Sequence, residues 1–260
     1  MDFSRSGRWH RAFSAALLLC GAATAWAEDI PGFDRPGFGF ATNALYAGQF
    51  AYEQGLPDWS RTRDHGSTSD QSTYDTLFRF GLGSGLELQV GGSPYNRLRQ
   101  TSDGATQTSY GHGDTTLGLK WAPTPPNETW AWGVLGSVEL TDGARDFRSD
   151  HPVYTLGVVV DQTLSPRADI SYFAQWQRSG GRDNYLIAPD YNYQFNDHWG
   201  CYGEVALLRD ADHRYGTQAG GGLTWQPRSN LQFDTWFRRR LGGQAAVWEA
   251  GVGVAMYFGR

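Results

Sequence analysis

At 260 residues, with 22 lysines and arginines against 27 aspartates and glutamates, the chain is long enough for one large domain and too acidic for a nucleic-acid footprint. Its mean hydropathy is negative, which excludes a bundle of apolar helices but not a barrel, in which only alternate residues need be apolar. Two cysteines give no disulfide framework, and 11 tryptophans, 13 tyrosines and 14 phenylalanines set the character of the chain.

Residues 1–27 read as a secretory signal that is cleaved. Arg5, Arg8 and Arg11 form a basic leader, Ala12 to Ala25 is an apolar run too short to span a bilayer, and Ala25-Trp26-Ala27 is a small-x-small cleavage site. Cys20 after Leu17-Leu18-Leu19 suggests a lipoprotein signal, against which stands the bulk of Leu19 just before it. Loss of Cys20 leaves Cys201 alone in an oxidising compartment. Residues 28–45, rich in Gly, Pro and Phe, are read as a periplasmic leader or a short plug, and residues 46–258 as one barrel domain.

The barrel expectation comes from alternation. A first strand covers Tyr46 to Glu53. In the next, Tyr74, Thr76, Phe78, Phe80 and Leu82 share one face and Asp75, Leu77, Arg79 and Gly81 the other; Gly83-Ser84-Gly85 turns the chain, and Leu86, Leu88 and Val90 alternate with Glu87, Gln89 and Gly91. Thr115 to Trp121 and Trp130 to Leu140 repeat the design, followed by Tyr154 to Asp161, Asp169 to Gln177, Tyr185 to Gln194, Trp199 to Leu207, Tyr215 to Trp225, Leu231 to Leu241 and Trp248 to Phe258. This makes an all-β, transmembrane antiparallel β-barrel of about 12 strands. Pro189, mid-strand, removes a ladder donor and predicts a bulge or a displaced register.

Short links near Ser84, Pro123 to Glu128, Thr163 to Arg167, Asn196 to His198 and Pro227 to Asn230 suit periplasmic turns. Pro57 to Ser72, Tyr95 to Ser109 and Asp142 to Pro152 read as long external loops, and the last three external links are short. On this topology Phe80, Trp121, Trp130, Trp132, Phe195, Trp199, Trp225, Phe233 and Phe258 form a periplasmic girdle, and Tyr74, Tyr154, Trp176, Tyr185, Tyr215 and Trp248 an external one. A soluble β-sandwich would not gather rings at strand ends. Such a chain belongs in the outer membrane of a Gram-negative bacterium, among outer-membrane lipid, and its last strand, with Met256 and Phe258 on the lipid face, resembles the signal read by the barrel-insertion machinery. Gly259 and Arg260 after the aromatic residue depart from that pattern.

Leu77-Phe78-Arg79-Phe80-Gly81-Leu82, Gly85-Leu86-Glu87-Leu88 and above all Gly113-Asp114-Thr115-Thr116-Leu117-Gly118-Leu119-Lys120-Trp121 resemble the outer-membrane transporter family named after the MetA pathway of phenol degradation. The resemblance implies a barrel with transport or channel activity, and it names no solute.

The other parity faces inward. Glu53, Asp75, Arg79, Glu87, Asp114, Lys120, Glu139, Asp161, Asp190, Glu204, Asp234, Arg238 and Glu249 are expected to line the lumen, with Asp169 and Arg240 on the same parity. They form either paired ladders that fill a narrow interior or, for Glu53, Asp75, Arg79, Glu87, Asp114 and Lys120, a polar wall along a path. Twelve strands make a barrel narrower than a general porin, so large hydrophilic solutes are not expected to diffuse through and small or elongated ones are; the solute taken as the working expectation is small and aromatic or apolar. The expected partners are that solute, the lipid and the insertion machinery, with no nucleic acid, metal or cofactor. A membrane-embedded lipid hydrolase would need a lipid-facing Ser/His pair, and none appears: His65, His151, His198 and His213 fall in loops or turns and His112 faces inward. A structural or ligand-binding barrel with recognition loops at Arg61 to Ser72 and Asp142 to Asp150 is the remaining alternative.

Overall fold

The structure, a computed structural model of the chain, describes residues 32–64 and 66–259. The signal, its cleavage site, Cys20 and His65 lie outside the described residues. Fifteen strand segments follow in order: β1 (Phe50–Asp64), β2 (Ser67–Thr73), β3 (Thr76–Gly83), β4 (Leu86–Gly92), β5 (Asn96–Ser102), β6 (Ala105–Gly111), β7 (Thr116–Trp121), β8 (Trp130–Glu139), β9 (Val153–Ser165), β10 (Ala168–Ser179), β11 (Arg182–Gln194), β12 (Trp199–Arg209), β13 (Tyr215–Arg228), β14 (Leu231–Gly243) and β15 (Trp248–Phe258).

These segments make a closed antiparallel barrel of 12 strands. Its order runs from β15 down to β7, then β4, β3 and β1, and the β1–β15 pair closes it. The other three segments prolong barrel strands outward: β2 continues into β3, β4 into β5 and β6 into β7. The pairs Gly91↔Thr116 and Asn96↔Gly111 keep one register across the gaps at Ser93 to Tyr95 and His112 to Thr115. The outer half of β1 with β2, β5 and β6 is therefore a sheet standing beyond the membrane band.

Alternation sets which face each side chain takes. From Phe50 to Trp59, and from Trp248 to Phe258, a strand covers about the 9 to 11 residues that a tilted membrane strand needs. Rings mark the periplasmic rim: Phe50 meets Phe80 at 5.1 Å and Phe258 at 5.6 Å, and Trp225 meets Trp199 at 5.8 Å and Phe233 at 5.5 Å. Leu82, Leu119, Ile187, Val205 and Leu207 are exposed on the outer surface, as hydrocarbon contact requires and water does not. No helix among the described residues is long and apolar enough to cross a membrane.

Four sequence expectations need correction. The first strand begins at Phe50, because Tyr46 to Gln49 is a turn through Gly48 (φ 82°) in which Gln49 N–H donates to the Tyr46 carbonyl at 3.0 Å. Pro57 to Ser72 and Tyr95 to Ser109 are strand hairpins, not loops. Both faces of those hairpins carry mainly polar residues, so no apolar alternation marked them. Pro189 causes no register shift: the β11–β12 pairing runs Ile187↔Leu207 and resumes at Asp190↔Glu204 in the same register, the proline leaving only a gap in the ladder. Asp142 to Pro152 does remain a loop.

Candidate functional site

Residues 32–49 hold no strand and yet make the contacts that organise the interior. The wall of β1, β3, β4 and β7 supplies Glu53, Arg79, Glu87 and Lys120, all fully buried. Arg79 donates from Nε and Nη2 to the two oxygens of Glu87 at 2.8 and 3.0 Å, and from Nη1 to Glu53 Oε1 at 2.8 Å. Lys120 stands opposite Glu87 in the ladder, with Nζ 3.2 Å from Glu87 Oε1. Two acids and two bases leave this wall neutral, as burial demands.

Asp34 is placed against that wall. Its Oδ1 accepts from Lys120 Nζ at 3.1 Å and from Ala41 N–H at 2.9 Å, and its Oδ2 accepts from Gln89 at 2.8 Å. The N–H groups of Asp34 and Arg35 donate to the two oxygens of Glu53 at 2.9 and 2.8 Å. Arg35 reaches sideways, with Nη1 and Nη2 on the two oxygens of Asp58 at 3.0 and 3.1 Å, and Nη2 and Nε on Asp234 at 3.3 and 3.4 Å. Gly253 leaves the room: a Cβ there would lie 2.5 Å from Arg35 Nε.

The segment then crosses the interior. Phe38 lies on the guanidinium of Arg238, 3.8 Å from ring centroid to Cζ, while Arg238 Nε donates to Glu204 at 2.5 Å. Phe40 meets Phe173 edge-on at 5.9 Å. Thr42 donates to Asp161 at 2.6 Å, and Leu45 N–H returns to Glu87 at 3.1 Å. Contacts to β1, β3, β4, β7, β9, β10, β12 and β14 show that the segment crosses the lumen and touches opposite sides of the inner wall.

The remaining inward residues lie higher or to the side. Asn192 donates to both Asp190 and Asp169, at 2.6 and 2.8 Å, and Gln218 donates to Glu249 at 3.1 Å. Asp114 accepts from Gly143 and Ser149 N–H, both at 2.7 Å, and Ser149 also donates to Glu139 at 2.7 Å. These bonds fasten the 142–152 loop at the mouth. Asp142 adds a bond from Thr115 N–H at 2.8 Å and one from its hydroxyl at 2.7 Å, and they hold its carboxyl below the usual range. Asp75 is exposed to the interior space.

Two cavities meet at Thr73 and Asp75. The outer, of about 630 Å³, lies between Asp75, Asp114 and Glu139 of the wall and Phe147 and Arg148 of the loop. The inner, of about 320 Å³, ends on Asp34 and Arg35. Asp75 and Asp114 thus sit apart from Glu53, Arg79, Glu87 and Lys120, so the six-residue wall grouped in the sequence is two groups at different depths.

One half of the interior escaped the sequence reading. Val159, Phe173, Ala188 and Ala206 are buried on the inner face of β9 to β12, packed with Leu186, Leu208, Phe38 and Phe40. A usable signal existed in runs such as Val158-Val159-Val160 and Leu186-Ile187-Ala188, where both parities are apolar on four neighbouring strands. The interior is therefore charged along β1, β3, β4 and β7, whereas β9 to β12 combine an apolar patch with the acids Asp161, Asp169, Asp190 and Glu204. No group of His, Cys, Asp and Glu able to hold a metal occurs among the described residues.

A family model described as "Putative MetA-pathway of phenol degradation" matches residues 33–258. The chain belongs to that family. The match starts at Phe33, so it takes in the interior segment together with the barrel. Among solved structures, the COG4313 outer membrane channel from Pseudomonas putida F1 is similar over 86% of this chain and 99% of its own, at 14% identity and a TM-score of 0.65. The translocator domain of the autotransporter NalP from Neisseria meningitidis is similar over 84% and 91%, at 11% identity and a TM-score of 0.57. The KdgM porin is similar over 81% and 99%, at 11% identity and a TM-score of 0.53. At such identities the likeness is one of fold, that of outer-membrane barrels. No curated protein matches the chain in sequence.

Proposed function

We propose that this family member is an outer-membrane channel of a Gram-negative bacterium that passes a small aromatic or apolar solute, and that residues 32–49 are the plug of its lumen. The apolar patch set in a polar interior carries the reading. A ring with one polar substituent finds both the patch of Val159, Phe173, Ala188 and Ala206 and hydrogen-bonding groups beside and opposite it, whereas a sugar gains nothing from the patch. The family's description, which concerns phenol degradation, points the same way. Passage needs no covalent step: the plug yields, and the solute moves from the external cavities toward the periplasm. Phe258, closing the barrel against Phe50, is the residue proposed for reading by the insertion machinery.

Planar-bilayer recording tests this. The expected result is a small, gated conductance that aromatic alcohols reduce at concentrations where sugars of equal size have no effect. A bilayer that stays sealed with folded protein, both as wild type and with the plug loosened by Arg35→Ala, overturns the channel reading.

A further inference from the structure

The sheet that β1, β2, β5 and β6 raise beyond the membrane band has two faces, and its basic residues use only one. Register fixes the assignment: Trp59↔Ser72↔Arg97↔Tyr110 and Arg61↔Asp70↔Arg99↔Thr108 are rows of the outward face, continuous with the lipid-facing surface below. All four arginines of this sheet, Arg61, Arg63, Arg97 and Arg99, share the outward parity, and the inward parity has no lysine or arginine. In the other direction the row passes from Arg61 to Trp248 on β15 and Arg239 on β14.

Depth and pairing give this row its meaning. Trp248 belongs to the external ring belt, and Arg61, its ladder partner, stands one pleat period, about 7 Å, beyond Trp59 on β1, at the height of lipid headgroups. Asp70 is the carboxylate within the row and it is spent on Arg61, at 2.5 and 3.1 Å, while Arg61 also covers the Trp248 ring at 5.8 Å. Arg97, Arg99 and Arg239 are exposed and form no ion pair among the described residues. A chain with a net charge of −5 thus leaves three unpaired guanidiniums on one outer face, Arg97 and Arg99 two residues apart on β5 and Arg239 four strands away on β14.

We propose that this row, together with Arg97 one pleat period nearer the membrane on β5, is a docking surface for the phosphorylated headgroup of an outer-leaflet glycolipid. Guanidinium forks match phosphate oxygens bidentately, neighbouring strands are spaced about 4.8 Å apart, and the row therefore spans about 20 Å from β14 to β5, the breadth of a headgroup rather than of one free phosphate. A lipid held here braces the outer sheet, and with it the wall of the outer cavity, against the membrane. The inference stands whether or not the lumen conducts.

The test titrates full-length protein in detergent with a fluorescent diphosphorylated lipid A, alongside its dephosphorylated form and inorganic phosphate. Dephosphorylation is expected to weaken binding at least tenfold. The triple variant Arg97→Gln, Arg99→Gln, Arg239→Gln is expected to lose affinity by on the order of a hundredfold, about fivefold for each arginine, with heat-modifiable electrophoretic migration unchanged. If that variant does not fold, Arg99→Gln alone is expected to lose about fivefold. Equal binding of the two lipid forms, unchanged binding by the variants, or full displacement by millimolar phosphate would each overturn the proposal.

Discussion

Arg35→Ala puts the plug to the sharpest test. Arg35 holds Asp58 and Asp234 through two ion pairs, and removing it strands both carboxylates. Breaking a buried ion pair on one side costs about 3–5 kcal/mol, chiefly through the charge left behind. Asp234 has no side-chain exposure, but Arg35 and Asp58 keep 15% and 14%, so the lower end, about 3 kcal/mol, applies. At a tenfold change for each 1.4 kcal/mol, the ratio of displaced to seated plug rises on the order of a hundredfold. Asp34→Asn is the comparison. Glu53, Arg79, Glu87 and Lys120 balance one another without it, so it forfeits only charge-assisted hydrogen bonds, about 1.5 kcal/mol or roughly tenfold. Single-channel open fraction and protease cleavage within residues 32–49 measure both variants. The reasoning fails if Arg35→Ala opens the channel no more than Asp34→Asn does, or if adding Asp58→Asn and Asp234→Asn to Arg35→Ala brings back no thermal stability.

Other substitutions probe the remaining contacts. Gly81→Ala would set a Cβ 1.9 Å from the Tyr46 carbonyl oxygen and 2.7 Å from that of Leu45, so it is expected to unseat the end of the plug and lower the melting temperature of the folded band on electrophoresis. Phe40→Ala removes the edge contact with Phe173 and is expected to cost about 3 kcal/mol of plug seating, with weaker aromatic-solute block. Asp114→Ala frees the Gly143 and Ser149 N–H groups and is expected to make the 142–152 loop protease-sensitive while the barrel stays heat-modifiable. The Asp142 latch has a sign that pH can read: its carboxyl is depressed in the folded state, so its contribution is complete above the ordinary carboxylate range and is lost as pH falls through the folded value. Loop cleavage should therefore rise only in strong acid, and a rise already at pH 6 would contradict the bond from Thr115.

What the sequence made legible follows from what alternation can encode. Tyr74 to Leu82 named both faces of its strand correctly because one met hydrocarbon and the other did not, and the same contrast fixed the 12-strand count. It failed where that contrast vanishes. Ser67 to Thr73 is polar on both faces, so a strand read as a loop; Val159 and Phe173 are apolar beside apolar neighbours, so an inward patch went unseen. The Gly, Pro and Phe content of residues 28–45 left leader and plug open, because the partners of Phe38 and Phe40, Arg238 and Phe173, are reached only through closure of the barrel.

The charges of the interior explain how such a plug can hold and still yield. A segment seated on apolar surface alone would be fixed by area, and Phe38 and Phe40 provide only part of that. The dipeptide Asp34-Arg35 instead brings one acid and one base to a wall whose quartet is already neutral, and its base is the member with two acids waiting. Departure of the segment therefore leaves Glu53, Arg79, Glu87 and Lys120 balanced and puts Asp58 and Asp234 in contact with the water of the inner cavity, which Asp58 already lines. Water entering there would solvate the two carboxylates and lower the cost of opening, whereas an apolar lining would raise it. The expected consequence is asymmetric: Asp58→Asn with Asp234→Asn should leave Arg35 unpaired in the closed state and favour opening, while Asp58→Leu should hinder water entry and slow the open–closed exchange even as it weakens the clamp. Exchange rates from single-channel dwell times separate these outcomes, and equal opening rates in the two variants would show that solvation of the wall acids has no part in release.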